Sequence, residues 1–391
     1  MQLPLLVALA LLAGIAYRHR QLVRALGPVA EPKPLAAHPS LSVIRPIKGV
    51  DAGLRENLRS AFRVTWPSAV EILFVLDDED EPALPSVREA IEEEGRATGL
   101  RAEIVFCGPP PPGRTGKLHA MIAGVARARG EVLAFVDSDV RTDPAVMGDL
   151  VATLLADDEV GSAFAPIVVS EPPRTLGDAV YALLLNALYT PDATRVARRN
   201  HGELPFILGQ CMAIRREAVE AIGGLEAAQG QIVDDLYIGQ LLRRAGLRNR
   251  MGTRPVRIVQ FGLGPGEALR TYARWITFSR RGLPDWRFKA PIALRVAWFW
   301  VGLLGAAWAV AQGGVVLAAG FASVAIALVA SLARLQHHVT GRPLAWRHKP
   351  APAVLCALAP VVVARIYLQR SLGWRGRTYR LDPRARLAER S

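Results

Sequence analysis

The chain has 391 residues, of which 51% are hydrophobic, and its formal net charge is +13 at pH 7. That length allows one large domain or two ordinary domains with a full hydrophobic core. The three cysteines, Cys107, Cys211 and Cys356, are far apart, which excludes a disulfide framework and a cysteine-based metal motif. No nucleic-acid recognition motif accompanies the basic charge, so we expect a membrane surface and no nucleic acid as its partner.

The chain begins with an apolar segment. Residues 3–17 carry no charge, and three arginines follow within the next seven positions. A secretory signal peptide would carry positive charge before its apolar run, and the first two residues carry none. We therefore predict an uncleaved membrane anchor over residues 1–24, slightly short for a full span, with the following domain in the cytoplasm. A cleaved signal peptide is the alternative.

The middle of the chain, residues 38–290, alternates short apolar runs with helical patterns. Strand-like runs occur at 41–46, 71–76, 102–107 and 132–136, with helical patterns between them. This order predicts an α/β fold, in which a mainly parallel sheet carries helices on both faces.

Three acidic clusters follow in order along this region. The first, Asp77 to Asp80, and the second, Asp137-Ser138-Asp139, each come directly after a strand-like run, and the third is Asp234-Asp235. Carboxylates at the carboxyl ends of parallel strands are placed to bind ligands. An Asp-x-Asp motif suits a divalent cation that bridges a diphosphate, and a later carboxylate can act as a general base. The set indicates sugar-nucleotide chemistry.

Each cluster also has a simpler interpretation. Asp77 to Asp80 can be an exposed acidic loop, and Asp-Ser-Asp can be a solvated turn. Asp234-Asp235 can be the acidic start of a helix. Lys117 opens a predicted helix, where it can meet a phosphate or be an ordinary surface lysine. Arg274-Trp275 lies in a predicted amphipathic helix over 269–279, where membrane anchoring is the alternative.

The C-terminal part contains three more apolar segments. Residues 291–311 and 314–333 are predicted to span the membrane, with Arg295 snorkelling to the interface. The loop 334–350 and the tail 369–391 are basic, so we expect both in the cytoplasm. Two spans return the chain to its starting side, and 351–368 contains two prolines. We predict that 351–368 is re-entrant or interfacial, and a third full span is the alternative.

At this point the chain resembles a known family. The run from Ser42 to Asp51 is similar to the opening of ceramide glucosyltransferases, which form glycosyltransferase family 21, a relative of family 2. The remaining motifs fall in that family's order over about residues 40–285: Asp78 with Asp80, Gly113 to Lys117, Asp137 to Asp139, Gly209 to Arg216, Asp234-Asp235 and Arg274-Trp275. The resemblance implies a GT-A (Rossmann-like) domain over 38–290, with membrane helices at 1–24 and 291–368 and a basic cytoplasmic tail.

The resemblance also implies roles for individual residues. Pro46, Lys48 and Asp78 would bind the nucleotide of a UDP-sugar, and Lys117 would approach its phosphates. Asp137 would contact the ribose, and Asp139 would hold a divalent cation, Mn²⁺ or Mg²⁺. The remaining roles are Asp235 as general base, with Asp234, Arg274 and Trp275 on the acceptor or product side.

The chain departs from the family at one motif position and shows a further similarity in its tail. Thr271 stands three residues before Arg274, where the family has Gln or Arg, and Arg270 lies one residue earlier. The tail from Trp374 to Arg380 resembles an ending seen in bacterial membrane glycosyltransferases.

We therefore expect an inverting glycosyltransferase that is an integral membrane protein of the bacterial inner membrane. It would move a hexose, glucose foremost, from UDP to a lipid hydroxyl such as that of ceramide. A hopanoid or other lipid acceptor, with N-acetylglucosamine as donor sugar, stays open. A non-catalytic membrane scaffold that binds sugar nucleotides is the other alternative. A polysaccharide synthase would need more membrane spans than this chain offers.

Overall fold

The computed structural model describes residues 2–28, 35, 38–282, 286–369, 371–382 and 386–387. It divides into two compact units. One unit contains residues 1–28, 168–195 and 261–368, and the other contains 29–167, 196–260 and 369–391. The predicted ranges 38–290 and 291–368 divide the chain differently, because 168–195 and 261–282 group with the apolar helices.

Thirteen strands occur in the described residues. They are β1 (Leu41–Pro46), β2 (Val70–Leu76), β3 (Arg101–Phe106), β4 (Val132–Val136), β5 (Val140–Arg141), β6 (Val160–Phe164), β7 (Ile167–Val168), β8 (Glu203–Leu204), β9 (Cys211–Arg215), β10 (Arg248–Met251), β11 (Val256–Ile258), β12 (Ser371–Trp374) and β13 (Arg377–Arg380).

The same part of the chain contains fourteen α-helices. They are α1 (Gln2–Ala25), α2 (Leu54–Ser60), α3 (Leu84–Ala90), α4 (Arg96–Thr98), α5 (Gly116–Arg127), α6 (Val146–Leu155), α7 (Leu176–Leu183), α8 (Thr190–Arg199), α9 (Arg216–Ala221), α10 (Asp234–Arg244), α11 (Pro265–Gly282), α12 (Trp286–Ala311), α13 (Val315–Thr340) and α14 (Ala351–Leu368). Two π-helical turns, Ile91–Gly95 and Leu184–Tyr189, join α3 to α4 and α7 to α8.

An eight-stranded sheet is the centre of the second unit. Its strand order is β3-β2-β1-β4-β9-β6-β10-β8. The first four strands are parallel, and β9 runs antiparallel to both β4 and β6. All five residues of β4 and the last five of β2 are buried, as expected for central strands covered on both faces. The predicted parallel order of the first four strands is therefore observed, and their carboxyl ends meet at one edge.

Helix α5 packs closely on this sheet, and this packing places its N-terminus at that edge. A Cβ atom at Gly124 would overlap Cγ2 of Ile44 in β1 and lie 3.3 Å from Cγ2 of Val75 in β2. Thr115 caps the helix, because its side-chain oxygen accepts a hydrogen bond from the Leu118 N–H at 3.1 Å. The first residues of α5 therefore stand beside the ends of β1 and β4.

The tail contributes a β-hairpin to the same unit. Strands β12 and β13 pair antiparallel, with Trp374 opposite Arg377. The two residues between them, Arg375 and Gly376, both have positive φ, 52° and 74°. Two central residues with positive φ are typical of a two-residue type I′ turn, and glycine favours the second position.

The first unit is built from helices around an apolar core. Four helical segments of the described chain are long and apolar enough to cross a membrane: Gln2–Ala25, Lys289–Ala311, Val315–Thr340 and Trp346–Leu368. Residues 3–17 alone predict an anchor slightly short for a full span. Helix α1 has 24 residues and is long enough, so this prediction is wrong. Residues 351–368 form one helix, and whether it crosses or re-enters stays a prediction.

The environment of the Arg295 side chain differs from the predicted one. Its side chain is 4% exposed, forms an ion pair with Asp192 and donates to the carbonyl oxygens of Ala187 at 2.7 Å and Leu188 at 3.1 Å. Arg18 also pairs with Asp192. The snorkelling prediction is therefore wrong, because a buried carboxylate and two carbonyls of the π-helical turn satisfy the guanidinium inside the unit.

Candidate active site

A cavity lies at the carboxyl ends of β1, β2 and β4. Its lining includes Pro46 at the end of β1, Lys48 after β1, Asp77 after β2, Asp137 after β4 and Lys117 from the start of α5. The tail hairpin closes it with Arg375, Arg377 and Tyr379. Four cationic side chains, at positions 48, 117, 375 and 377, face two carboxylates, at positions 77 and 137, so the lining suits an anionic ligand.

Lys117 links the second and third acidic clusters. Its Nζ lies 2.6 Å from Oδ1 of Asp137 and donates to the carbonyl oxygen of Gly209 at 3.0 Å. Burial opposes the charge on Lys117, but the carboxylates of Asp137, Asp234 and Asp235 outweigh it and raise its pKa. Lys117 is therefore a fixed cation at the helix N-terminus, where phosphates bind readily.

Asp235 is held by two backbone N–H groups. Its Oδ2 accepts from Gly209 at 2.7 Å and its Oδ1 accepts from Leu236 at 2.7 Å. Asp234 is 3% exposed, and its oxygens accept from Thr115 Oγ1 at 3.3 Å and from the Asp235 N–H at 2.9 Å. The structure thus brings Asp137, Lys117 and Asp235 together through Gly209, although they come from three separate motifs.

Asp139 fits a metal ligand. Its Oδ1 is buried and has no hydrogen-bond partner, whereas Oδ2 lies 3.9 Å from the Arg375 guanidinium. Burial raises the pKa of Asp139 to about 6, and the Arg375 charge opposes that rise. Among the described residues, no group of three or more His, Cys, Asp or Glu is placed to hold a metal ion. A cation here would therefore take few protein ligands, as Mg²⁺ does when substrate phosphates complete its coordination.

The first acidic cluster contributes Asp77, whereas Asp78 does not reach the lining. Asp78 is exposed, and its Oδ1 accepts from the Asp80 N–H at 3.0 Å in a surface turn. Oδ2 of Asp77 lies 2.7 Å from Nζ of Lys48. The buried Glu81 also pairs with Lys48, at 2.8 Å, and accepts from the Gly49 N–H at 2.6 Å. Lys48 is thereby fixed at the cavity by two carboxylates.

Arg45 holds the backbone of the Asp-Ser-Asp motif through hydrogen bonds. This fully buried residue donates to the carbonyl oxygens of Asp137 at 2.9 Å and Val140 at 2.8 Å. Burial lowers its pKa to about 10, which leaves it charged at neutral pH. Arg45 therefore fixes the backbone of the motif without touching the cavity, and it is a positioning residue.

The hairpin and Arg45 were not among the predicted site residues. For Arg45 a signal existed, because an arginine inside an otherwise apolar strand requires buried partners. For Arg375 and Arg377 the signal was the resemblance of the tail to an ending of bacterial membrane glycosyltransferases. That resemblance did not indicate their partners, which lie about 240 to 325 positions away in the chain.

Arg274 and Trp275 belong to the other unit, on α11. The Trp275 ring packs against that of Tyr189, with centroids 5.5 Å apart, and Tyr189 Oη donates to the Trp275 carbonyl oxygen at 3.4 Å. These contacts give Trp275 a packing role, and the predicted acceptor-side role of both residues stays a prediction.

Comparisons with known proteins agree with the sequence resemblance. A family model described as Glycosyl transferase family 21 matches residues 5–387. Ceramide glucosyltransferase 1 of Caenorhabditis elegans is 25% identical over 227 residues, which are 58% of this chain and 46% of the relative. An N-acetylglucosaminyltransferase of Rhizobium meliloti is 26% identical over 251 residues, 60% of this chain and 55% of the relative. The chain spans about half the length of these relatives.

A solved structure shares the fold. A mannosyltransferase from Pyrobaculum calidifontis, in complex with GDP-Man and Mn²⁺, superposes with a TM-score of 0.54 at 19% identity. The match covers 92% of this chain and 99% of the other. The predicted α/β fold of the GT-A type, with long apolar helices at both ends of the chain, is thereby confirmed.

Proposed function

Because the chain belongs to glycosyl transferase family 21, we propose that it is a membrane-bound inverting glycosyltransferase. It transfers a hexose, with glucose as the first candidate, from a UDP-sugar to a lipid hydroxyl, with ceramide as the first candidate. The name of the C. elegans relative supports this choice of sugar and lipid. The unit that contains the eight-stranded sheet, residues 29–167, 196–260 and 369–391, is the catalytic unit. It faces the cytoplasm, as the basic segments near the apolar helices favour.

One observation carries the proposal. Lys117 bonds both Asp137 and Gly209, and Gly209 in turn bonds Asp235. A cation suited to the leaving diphosphate therefore stands in one bonded chain with a carboxylate suited to the attacking hydroxyl. In the reaction the acceptor oxygen bonds to the anomeric carbon, the bond to UDP breaks on the opposite face, and the proton passes to Asp235.

A divalent cation, Mn²⁺ or Mg²⁺, is part of the proposal. Asp139 would hold it, since its buried Oδ1 lacks any hydrogen-bond partner. When bound, the cation neutralises charge that develops on the leaving diphosphate. Lys117 contributes positive charge to the same end of the site, and Pro46, Lys48 and Asp137 line it. The nucleotide role of Asp78 is retained only as a prediction, because Asp77 occupies the lining.

The test is a product assay. Membranes that contain the chain are incubated with UDP-glucose or UDP-N-acetylglucosamine and with ceramide or a hopanoid, and the products are identified by mass spectrometry. We expect a glycosylated lipid, formed only with a divalent cation. Asp139→Ala should abolish the stimulation by Mn²⁺ or Mg²⁺, and full activity in EDTA would refute the metal role.

A second candidate donor sugar is N-acetylglucosamine, with a hopanoid or other lipid as acceptor. The similarity to bacterial N-acetylglucosaminyltransferases favours it, and the same assay separates the two sugars. A non-catalytic sugar-nucleotide-binding scaffold would bind UDP and release none from UDP-sugars with any lipid.

A further inference from the structure

The tail hairpin is anchored on the catalytic unit by polar contacts at the cavity. Arg375 forms an ion pair with Asp51, and its guanidinium donates to Ser138 Oγ at 3.3 Å and to the Lys48 carbonyl oxygen at 3.2 Å. Arg377 forms an ion pair with Asp77. The turn and the start of β13 therefore place two guanidinium groups among the acidic residues that follow β1, β2 and β4.

A third contact fixes the hairpin at the N-terminus of α5. The Gly116 N–H donates to Tyr379 Oη at 3.1 Å. A Cβ atom at Gly116 would lie 3.1 Å from Cζ of Arg377 and 3.7 Å from Tyr379 Oη, so the hairpin approaches this helix end as closely as glycine permits. Gly116 directly precedes Lys117, so the hairpin and the N-terminal end of α5 share one wall of the cavity.

The charges explain what such an arrangement can bind. Without the hairpin, the lining would carry Lys48 and Lys117 against Asp77 and Asp137, with no net charge. Arg375 and Arg377 make it positive, as a nucleoside diphosphate requires. Their side chains keep 29% and 22% of their surface exposed, and both residues line the cavity, so a ligand there can reach them. A planar guanidinium can bond phosphate oxygens in pairs.

We propose that the C-terminal hairpin is part of the donor site, with Arg375 and Arg377 as binding residues for the diphosphate of the nucleotide. This inference rests on the proposed glycosyltransferase function and deepens it. Asp51 holds Arg375 in place, while the longer contact of 3.9 Å between Arg375 and Asp139 leaves that carboxylate able to take a cation. The tail thus supplies charge that the sheet and α5 lack.

The test is calorimetric titration of the detergent-solubilised full chain with UDP and with UMP, in saturating Mn²⁺. Arg375→Gln and Arg377→Gln keep a hydrogen-bonding side chain and remove the charge. We expect each to weaken UDP binding about 10-fold to 100-fold, the loss typical of one charge-assisted contact. UMP, which has one phosphate fewer, should lose much less. Arg375→Lys should recover part of the UDP affinity.

Arg380→Gln is the matched control, because Arg380 lies on β13, as Arg377 does, but is exposed and does not line this cavity. Equal UDP affinities for this control and for Arg375→Gln would overturn the inference and leave the arginines with a structural role. Tighter UDP binding by Arg375→Gln would overturn it in favour of a hairpin that blocks the site. Failure of the unaltered chain to bind UDP would instead refute the proposed donor itself.

Discussion

Asp234 and Asp235 are adjacent in the chain but differ in what they can reach. Asp234 is buried, and its carboxylate serves Thr115 and the start of α10. Asp235 is only partly buried and is oriented by the N–H groups of Gly209 and Leu236. A general base must approach the acceptor hydroxyl, so we keep Asp235, the more exposed of the two, as the predicted base.

Asn at position 235 keeps the shape of the side chain and removes its basicity. Asp235→Asn should lower turnover about 10²-fold to 10⁴-fold, the usual loss of a positioned base. UDP affinity should change little, because the donor is held by other residues. Asp234→Asn serves as the comparison and should impair turnover less. Steady-state kinetics and UDP titration measure both effects, and an inactive Asp234→Asn beside an active Asp235→Asn would assign the base to Asp234.

The pH dependence of turnover follows from the same carboxylate. Burial raises the pKa of Asp235 to about 6, with Lys117 opposing the rise and Asp234 adding to it. A base works only when ionised, so kcat should fall about tenfold per pH unit below about pH 6. Burial raises the pKa of Asp139 to about the same value. The profile is therefore measured at saturating donor, so that weaker donor binding at low pH does not lower the measured rate. A kcat that stays constant down to pH 5 would contradict the assignment.

Gly209 is required for its small size. A Cβ atom there would lie 2.7 Å from Cγ of Asp235, inside the contact distance of the two groups. Gly209→Ala should displace the carboxylate and lower turnover about 10²-fold, the scale of a misplaced catalytic group. Gly148→Ala is the control, because nothing lies within 4 Å of its added methyl group. Turnover of Gly209→Ala equal to that of the control would show that Asp235 needs no fixed position.

At the scale of the elements, one carboxylate joins three helices of the apolar unit. Asp192 on α8 pairs with Arg18 on α1 and with Arg295 on α12. Ionisable groups inside an apolar unit are stable only when they are paired. The cluster therefore constrains which helix faces meet.

Asp192→Ala leaves two arginines without their common carboxylate. We expect it to cost about 3–5 kcal/mol of stability, the usual result of breaking a buried pair from one side. Thermal unfolding of the purified chain in detergent measures this. Adding Arg295→Met removes one unpaired charge and should recover part of the loss. A double variant less stable than Asp192→Ala would mean that the bonds from Arg295 to the carbonyl oxygens are more important than its charge pair.

At the scale of the whole molecule, the hairpin limits the membrane topology. Its arginines bond Asp51 and Asp77, so the tail is on the same side of the membrane as the sheet. We predict that α12 and α13 each cross the bilayer once. Two crossings would return the chain to the side on which α12 begins, and this favours a re-entrant or interfacial α14.

Cysteine labelling tests this topology. A single cysteine at Thr378 or at Arg342, in a chain with Cys107, Cys211 and Cys356 changed to alanine, should resist a membrane-impermeant reagent in intact cells. Both should react after the cells are opened, because both positions are exposed. Reaction at position 378 in intact cells would show that α14 crosses the bilayer and that the hairpin does not reach the catalytic unit.

The sequence by itself determined the features that depend on local patterns. Alternating apolar runs and helical patterns predicted the parallel order of β1 to β4, and uncharged stretches predicted the apolar helices. The acidic motifs at 137–139 and 234–235 were identified because each follows or begins a recognisable element. The family was recognisable for the same reason, since its motifs occur in a fixed order along the chain.

Only the tertiary structure decided which side chains meet. It placed Asp77 in the cavity and left Asp78 in a surface turn, because adjacent residues at the end of a strand point in different directions. It gave Arg295 a buried partner more than a hundred positions away. It also brought the tail arginines to the acidic motifs. Contacts so distant in sequence leave no periodicity or spacing in the chain, and folding alone determines them.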